Sequence, residues 1–299
     1  MLPGARQALP TDRGARSAGA EAGMPSDRPA AGASWIRRTR RCRDARIRFL
    51  CLPHAGGTAS FHNSWASWLP DGTDLLSVQY PGRQDRISEP CASRMEDLAP
   101  QVVQALQPHL DDDSALVLFG HSMGAWVAFE VARLLEMSFA RRPTGLIVSA
   151  QIPPHLPPER EWPGESDEEL IAELRRTGGT YTDPMLEPGL RELVLPAVRA
   201  DFRLVREYSP QPLRRISVPI TAFAGVDDEG VPWNRVAKWQ DATTGTFNSH
   251  TFSGGHFYLL EQEQEFAHQV NRAIHRMTGS SRRIHTPVSL PTAEHSDRQ

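Results

Sequence analysis

Lysine is almost missing from this chain: Lys238 is the only one, and arginine supplies the rest of the 33 basic residues. Against 36 acidic residues this leaves a formal net charge of −3. That balance argues against nucleic acid as the main partner, because phosphate binding needs a basic face. The preference for arginine reads as GC-rich coding and carries no mechanism. Cysteine is scarce as well. Cys42, Cys51 and Cys91 are odd in number and lack metal-ligand spacing, which speaks against both a disulfide framework and a zinc site. Cys51 reads as a small core residue in a strand. No run of roughly eighteen apolar residues occurs, which excludes a membrane-spanning helix, and the amino terminus has no apolar signal core. The expectation is a cytoplasmic monomer that uses no metal and no cofactor.

Large apolar residues are also thin over residues 1–46, where Ala, Gly, Pro and Arg dominate. Such a segment cannot bury enough surface to offset the entropy of ordering, so it is read as a largely disordered extension, with Met24 an alternative start. Its arginines suggest a targeting peptide, but Asp12, Glu21, Asp27 and Asp44 weaken that reading. The polar tail over 278–299 is read as disordered too. Between them, residues 47–277 are long enough for one α/β domain with a sizeable core.

What is present centres on residues 115–135. Ala115 to Phe119 is an apolar run suited to a buried strand, Gly120-His121-Ser122-Met123-Gly124 is a tight turn, and Ala125 onward has apolar residues at helical spacing. Ser122 therefore sits at a strand-to-helix elbow. To raise its hydroxyl above a sheet it must accept a strained backbone, which needs neighbours without bulk two positions either side. The following helix points its first amides at the same spot, so the Met123 N–H can meet a developing oxyanion.

The rest of the chain supports a mostly parallel sheet covered by helices on both faces. Ile47 to Pro53 reads as a strand ending in the loop His54-Ala55-Gly56-Gly57. Phe61 to Leu69 reads as a helix, Leu75 to Tyr80 as a strand, Ser93 to Leu110 as a helix capped by Ser93, and Gly145 to Ser149 as a strand. Residues 151–212 break the pattern with a proline-rich entry and two amphipathic helices, Asp167 to Arg176 and Leu190 to Tyr208. A helical insertion at the carboxyl end of a sheet strand reads as a lid. Sheet logic resumes at Ile220 to Ala224 and Phe247 to Phe252, with helices from Pro232 to about Asp241 and from Glu261 to about Met277.

A serine hydroxyl needs an imidazole to take its proton, and the imidazole needs a carboxylate to hold it. In the α/β-hydrolase fold these follow in the order Ser, acid, His, each in a loop after a strand. Of the eleven histidines, His256 alone combines a late position, a preceding strand and two adjacent glycines. His121 lies inside the elbow and points away from the hydroxyl, while His268, His275, His285 and His295 fall on a terminal helix or tail. The acid loop offers Asp227, Asp228 and Glu229, with Asp228 favoured for its place at the loop tip. Ala55 is the choice for the second oxyanion amide, with His54 the near alternative.

Taken in order, Trp35-Ile-Arg-Arg, Leu52-Pro-His-Ala-Gly-Gly57, Gln79-Tyr-Pro-Gly-Arg83, Phe119-Gly-His-Ser-Met-Gly124, Gly225-x-x-Asp228-x-x-Val231 and Gly254-Gly-His-Phe257 resemble the type II thioesterases. These are the stand-alone editing hydrolases of polyketide and nonribosomal peptide synthesis. The resemblance spans about residues 35 to 277. It implies an α/β-hydrolase core with a helical lid, release of acyl groups from the phosphopantetheine arm of an acyl or peptidyl carrier protein, and a triad on Ser122, Asp228 and His256. Three features depart from the family pattern: the long leader, Ser149-Ala-Gln-Ile-Pro-Pro154 where an arginine is expected, and an acid, Glu229, where proline is common. The rival readings are a medium-chain fatty acyl thioesterase, a general serine esterase, and a silent carrier-binding protein. Arg133, Arg141 and Arg142, read as exposed helix positions, are either a docking face for an acidic carrier or a solvated surface.

Overall fold

The computed structural model describes residues 35–138, 141–159, 161–178, 188–210 and 212–279. Its strands are β1 (Ile36–Arg40), β2 (Ile47–Leu52), β3 (Thr73–Val78), β4 (Ala115–His121), β5 (Gly145–Ser149), β6 (Ile220–Gly225) and β7 (Phe247–Phe252). They form one sheet in the order β1-β3-β2-β4-β5-β6-β7. Every neighbouring pair is parallel except β1 with β3. The helices are α1 (Met95–Leu106), α2 (Met123–Met137), α3 (Asp167–Thr177), α4 (Pro188–Glu207), α5 (Trp233–Val236), α6 (Tyr258–Glu261) and α7 (Glu263–Thr278).

The central strands are apolar almost throughout because both faces of the sheet are covered. Successive side chains alternate between two cores. Leu50, Leu52, Leu76 and Val78 join Val102, Phe129 and Val131 of α1 and α2 on one face. Phe49, Cys51 and Leu75 join Trp65 and, from α7, Phe266, Val270 and Ile274 on the other. Each such Leu, Val or Phe contributes about 1.5–3 kcal/mol by leaving water.

Order begins earlier than the local pattern predicts. Ile36–Arg40 pairs with β3, so the disorder expected for residues 1–46 does not hold at its carboxyl end; residues 1–34 and 280–299 lie outside the described residues. One apolar pair, Trp35 and Ile36, gives little local signal. The strand is held by partners distant in sequence: Gln79 N–H to Trp35 O at 2.7 Å, the Arg86 guanidinium over the Trp35 ring at 4.1 Å, and ion pairs from Arg37 to Asp85 and Arg38 to Asp74. Smaller differences follow the same logic. Ala59–Ser67 winds as a 3₁₀ helix. Arg94, not Ser93, is the residue before α1, and its extended backbone delays the helix to Met95. The segment after Pro232 is a short α5 followed by 3₁₀ turns.

Between β5 and β6 the chain inserts α3 and α4. Ser166 and Glu169 form a reciprocal capping box at the start of α3, which satisfies amides that helical bonding leaves free. Leu170, Ile171 and Leu174 of α3 pack on Leu195, Val198 and Phe202 of α4 in a small cluster of their own. The last turns of α4, with Leu204 and Val205, and Tyr208 just beyond the helix reach the main core.

Candidate active site

Because β2, β4, β6 and β7 run parallel, the loops that follow them leave the same edge of the sheet, and they meet over its carboxyl end. The loop after β4 is the elbow. Ser122 has φ 54° and ψ −124°, a region an L-residue occupies only under strain. The flanking glycines make the turn possible. A Cβ on Gly120 would lie 2.0 Å from Gly124 O, and one on Gly124 would lie 2.0 Å from Leu52 O. Ser122 N–H donates to Ser149 O at 2.8 Å, and Met123 opens α2, so the amides of its first turn face the serine.

The loops after β6 and β7 are clasped together, and the clasp separates the two candidate acids. Asp227 is exposed and spent on the clasp: its N–H donates to Gly254 O at 3.0 Å and its carboxylate accepts Gly254 N–H at 3.1 Å. Asp228 is 5% exposed. Its Oδ2 lies 2.6 Å from His256 Nδ1, and its Oδ1 accepts Gly230 N–H at 3.1 Å. A carboxylate can only accept, so Nδ1 carries the proton and Nε2 is the basic nitrogen. Glu229 is exposed.

Two buried imidazoles with lowered pKa values pack near His256. The His121 ring is 5.2 Å from the His256 ring and fully buried, with Nδ1 at 2.9 Å from Ser149 Oγ. Ser149 Oγ is in turn 2.6 Å from the Tyr258 hydroxyl. Burial, then the neighbouring His256, push the His121 pKa well down. His54, 4% exposed and edge-on to Phe257 at 4.9 Å, is lowered to about 3 by burial, with His256 and Arg83 adding to it. Burial thus keeps both rings uncharged beside His256.

In the loop after β2 two amides are already committed. Gly57 N–H donates to His54 O at 2.9 Å, and Gly56 N–H donates to Asp201 Oδ2 at 2.7 Å. Ala55 borders the cavity with Ser122, Met123 and His256. That cavity encloses about 70 Å³ and is roofed by Leu174 and Thr177 of α3 and by Phe202 and Val205 of α4. It is far smaller than the roughly 300–1,000 Å³ of a site for a drug-sized ligand. Arg176 and Glu173 pair at its rim, with guanidinium-to-carboxylate bonds of 2.9 and 3.0 Å. Among the described residues no group of His, Cys, Asp and Glu has the arrangement of a metal site.

A sequence profile described as the Thioesterase domain matches residues 48–278. The chain belongs to the thioesterase family. This thioesterase is 41% identical over 258 residues to Thioesterase PikA5 of Streptomyces venezuelae, across 86% of this chain and 92% of that protein. Among solved structures it resembles the type II thioesterase BorB from the borrelidin biosynthetic cluster, with 38% identity and a TM-score of 0.72, covering 81% of this chain and 98% of that one. It also resembles YbtT, the type II thioesterase from the yersiniabactin pathway, with 29% identity and a TM-score of 0.74, covering 82% and 99%. The thioesterase is thus a thioester hydrolase of α/β-hydrolase fold.

The structure brings Ser122, Met123, Ala55, His54, Asp228 and His256 to one cavity. It does not support the picture of Arg133, Arg141 and Arg142 as exposed helix positions. Arg133 is bonded to Glu130 at 2.6–2.8 Å, and Arg141, which lies beyond the end of α2, donates to the carbonyls of Leu110, Asp112 and Ser114. Only Arg142, itself outside a helix, is largely exposed, 3.6 Å from Glu136. Sequence reasoning gave no role to Arg83, Asp201, Glu173, Arg176 or the Ser149–Tyr258 pair. Arg83 closes the stretch Gln79-Tyr-Pro-Gly-Arg83, but its partner lies 118 residues away, and no local pattern shows that.

Proposed function

We propose that this thioesterase is a stand-alone type II enzyme. It hydrolyses short acyl groups from the phosphopantetheine thiol of an acyl or peptidyl carrier protein in polyketide or nonribosomal peptide synthesis. The observation that carries the reading is the 2.6 Å contact between His256 Nδ1 and Asp228, which leaves Nε2 basic in the small apolar cavity that Ser122 also borders. Ser122 Oγ attacks the thioester carbonyl as His256 Nε2 takes its proton. The developing oxyanion is met by the amides of Met123 and Ala55. The sulfur leaves as the pantetheine thiol with the proton from His256. Water, deprotonated by the same nitrogen, then attacks the acyl-serine and releases the free acid.

The about 70 Å³ chamber suits acetyl- or propionyl-sized groups, the kind that stall an assembly line. The helices α3 and α4 act as a lid that keeps bulk water from the acyl-enzyme. The test loads acetyl or propionyl groups onto a phosphopantetheinylated carrier protein and measures release by the wild type and by Ser122→Ala. Release that depends on Ser122 and outpaces hydrolysis of a simple oxygen ester of the same acid supports the reading. Ester hydrolysis without carrier release would make the protein a general esterase.

A further inference from the structure

Helix α4 touches the catalytic machinery at one buried point that the reaction itself does not use. Asp201, on the inward side of α4, is 2% exposed, and Arg83, in the loop after β3, is 6% exposed. The two meet in a bidentate pair, Nη1 to Oδ2 at 2.7 Å and Nη2 to Oδ1 at 2.8 Å. Both then reach the loop after β2. Asp201 Oδ2 also accepts Gly56 N–H at 2.7 Å, and Arg83 Nη1 also donates to Gly57 O at 3.2 Å. Arg83 Nε is taken by Pro81 O at 3.3 Å. One turn before Asp201, Val198 Cγ2 lies 3.0 Å from where a Cβ on Gly56 would stand, and Gly56 itself has φ +73°. The peptide next to Ala55 is therefore fixed from the helix side by a carboxylate, a guanidinium and a methyl group.

We propose that Arg83 and Asp201 are positioning residues for the oxyanion site: the pair holds Gly56 and Gly57 so that the Ala55 amide points at the reacting carbonyl, and it does so only while α4 is seated. The inference rests on the reading of Ala55 as an oxyanion donor given above. Burial disfavours the Arg83 cation, but the Asp201 charge and hydrogen bonds outweigh it and leave its pKa raised, so the guanidinium keeps its proton. The bidentate geometry of the pair leaves Asp201 Oδ2 fixed in place to accept the Gly56 amide. Neither side chain borders the cavity. Their effect on the reaction passes through the loop, and a donor tilted out of line loses much of its worth in the transition state while substrate binding is spared.

The test uses the full chain and three variants: Asp201→Asn, Arg83→Met, and the double variant Arg83→Met with Asp201→Leu. Each single change strands a buried charge or half a pair, so a loss of folding is expected to accompany it; the double change removes both charges, and such replacements often keep stability. The readouts are Tm, the kcat and KM for acetyl-carrier hydrolysis, and the inhibition constant of an alkyl boronic acid, whose adduct with Ser122 places an oxygen in the oxyanion site. The expected result is a double variant with a Tm between those of the single variants and wild type, since the Gly56 amide stays unpaired, KM nearly unchanged, kcat lowered by roughly 10- to 100-fold, and boronate binding weakened by a similar factor. A double variant that regains kcat along with Tm would reduce the pair to a structural role and overturn the proposal. Wild type without Ser122-dependent release would instead sink the thioesterase reading on which the proposal stands.

Discussion

Asp228 and His256 meet at 2.6 Å where two loops from adjacent parallel strands are stitched together. The neighbouring Asp227 makes the stitch and Asp228 makes the contact. Replacing Asp228 by Asn keeps the shape but offers His256 an amide, which no longer fixes the proton on Nδ1. A fall in kcat of roughly 10³- to 10⁴-fold is expected. Asp227→Asn, which still accepts the Gly254 amide, should leave kcat nearly unchanged. Steady-state kinetics of the two variants decide the matter, and equal losses would return the acid assignment to the loop as a whole.

Three buried histidines predict how stability depends on pH. His54 and His62 are lowered to about 3, chiefly by burial, and His121 is lowered in the same direction. In the unfolded chain each takes a proton below about 6.5, whereas the folded state refuses it until far lower pH. Stability therefore falls as pH drops from about 6.5 toward 3, by on the order of 1 kcal/mol per pH unit for each histidine. His62 sits among Phe61, Trp65 and Phe119, so His62→Phe should flatten the slope. Urea unfolding at pH 7, 6 and 5 measures it, and an unchanged slope would contradict the assignment.

Gly124, two positions after Ser122, offers a steric test. A methyl group on Gly124 would stand 2.0 Å from Leu52 O and 2.7 Å from Pro53 O. Both are backbone atoms of the strand end that leads into the loop His54-Ala55-Gly56-Gly57 and cannot swing aside. Gly124→Ala should cost about 3 kcal/mol or more and lower activity with it, as read by denaturant midpoint and kcat.

Chamber size should set acyl length. Leu174 roofs the cavity and is 7% exposed. Leu174→Ala opens room for about three more carbon atoms at a stability cost of about 2–5 kcal/mol. The ratio of hexanoyl to acetyl hydrolysis, each from the same carrier protein, should rise roughly tenfold or more. An unaltered ratio would mean that the chamber does not select by length.

The sheet and the strand-to-helix elbow at Ser122 were legible in the sequence because their signals are local: an apolar run, a turn with two small residues, a helical period. The order of the strand-following loops also singled out His256, which the structure sets against Asp228. What local pattern could not show depends on partners far along the chain. Strand β1 looks like a polar arginine stretch until Asp74 and Asp85 stand opposite it. The division of labour between Asp227 and Asp228 appears only when Gly254 comes alongside. Arg83 and Asp201 acquire meaning only across the insertion.

The insertion keeps its own small cluster, Leu170, Ile171 and Leu174 against Leu195, Val198 and Phe202, while the sheet keeps the two large ones. Among the described residues, Ala55 and Trp162 border both the roof cluster and the main core. Leu174 and Phe202 of the roof belong to the small cluster alone, whereas Val205 roofs the cavity and also joins the main core. Variation in the shape of the roof should therefore accumulate at positions such as 174 and 202, at little expense to the stability of what lies beneath, and spare position 205.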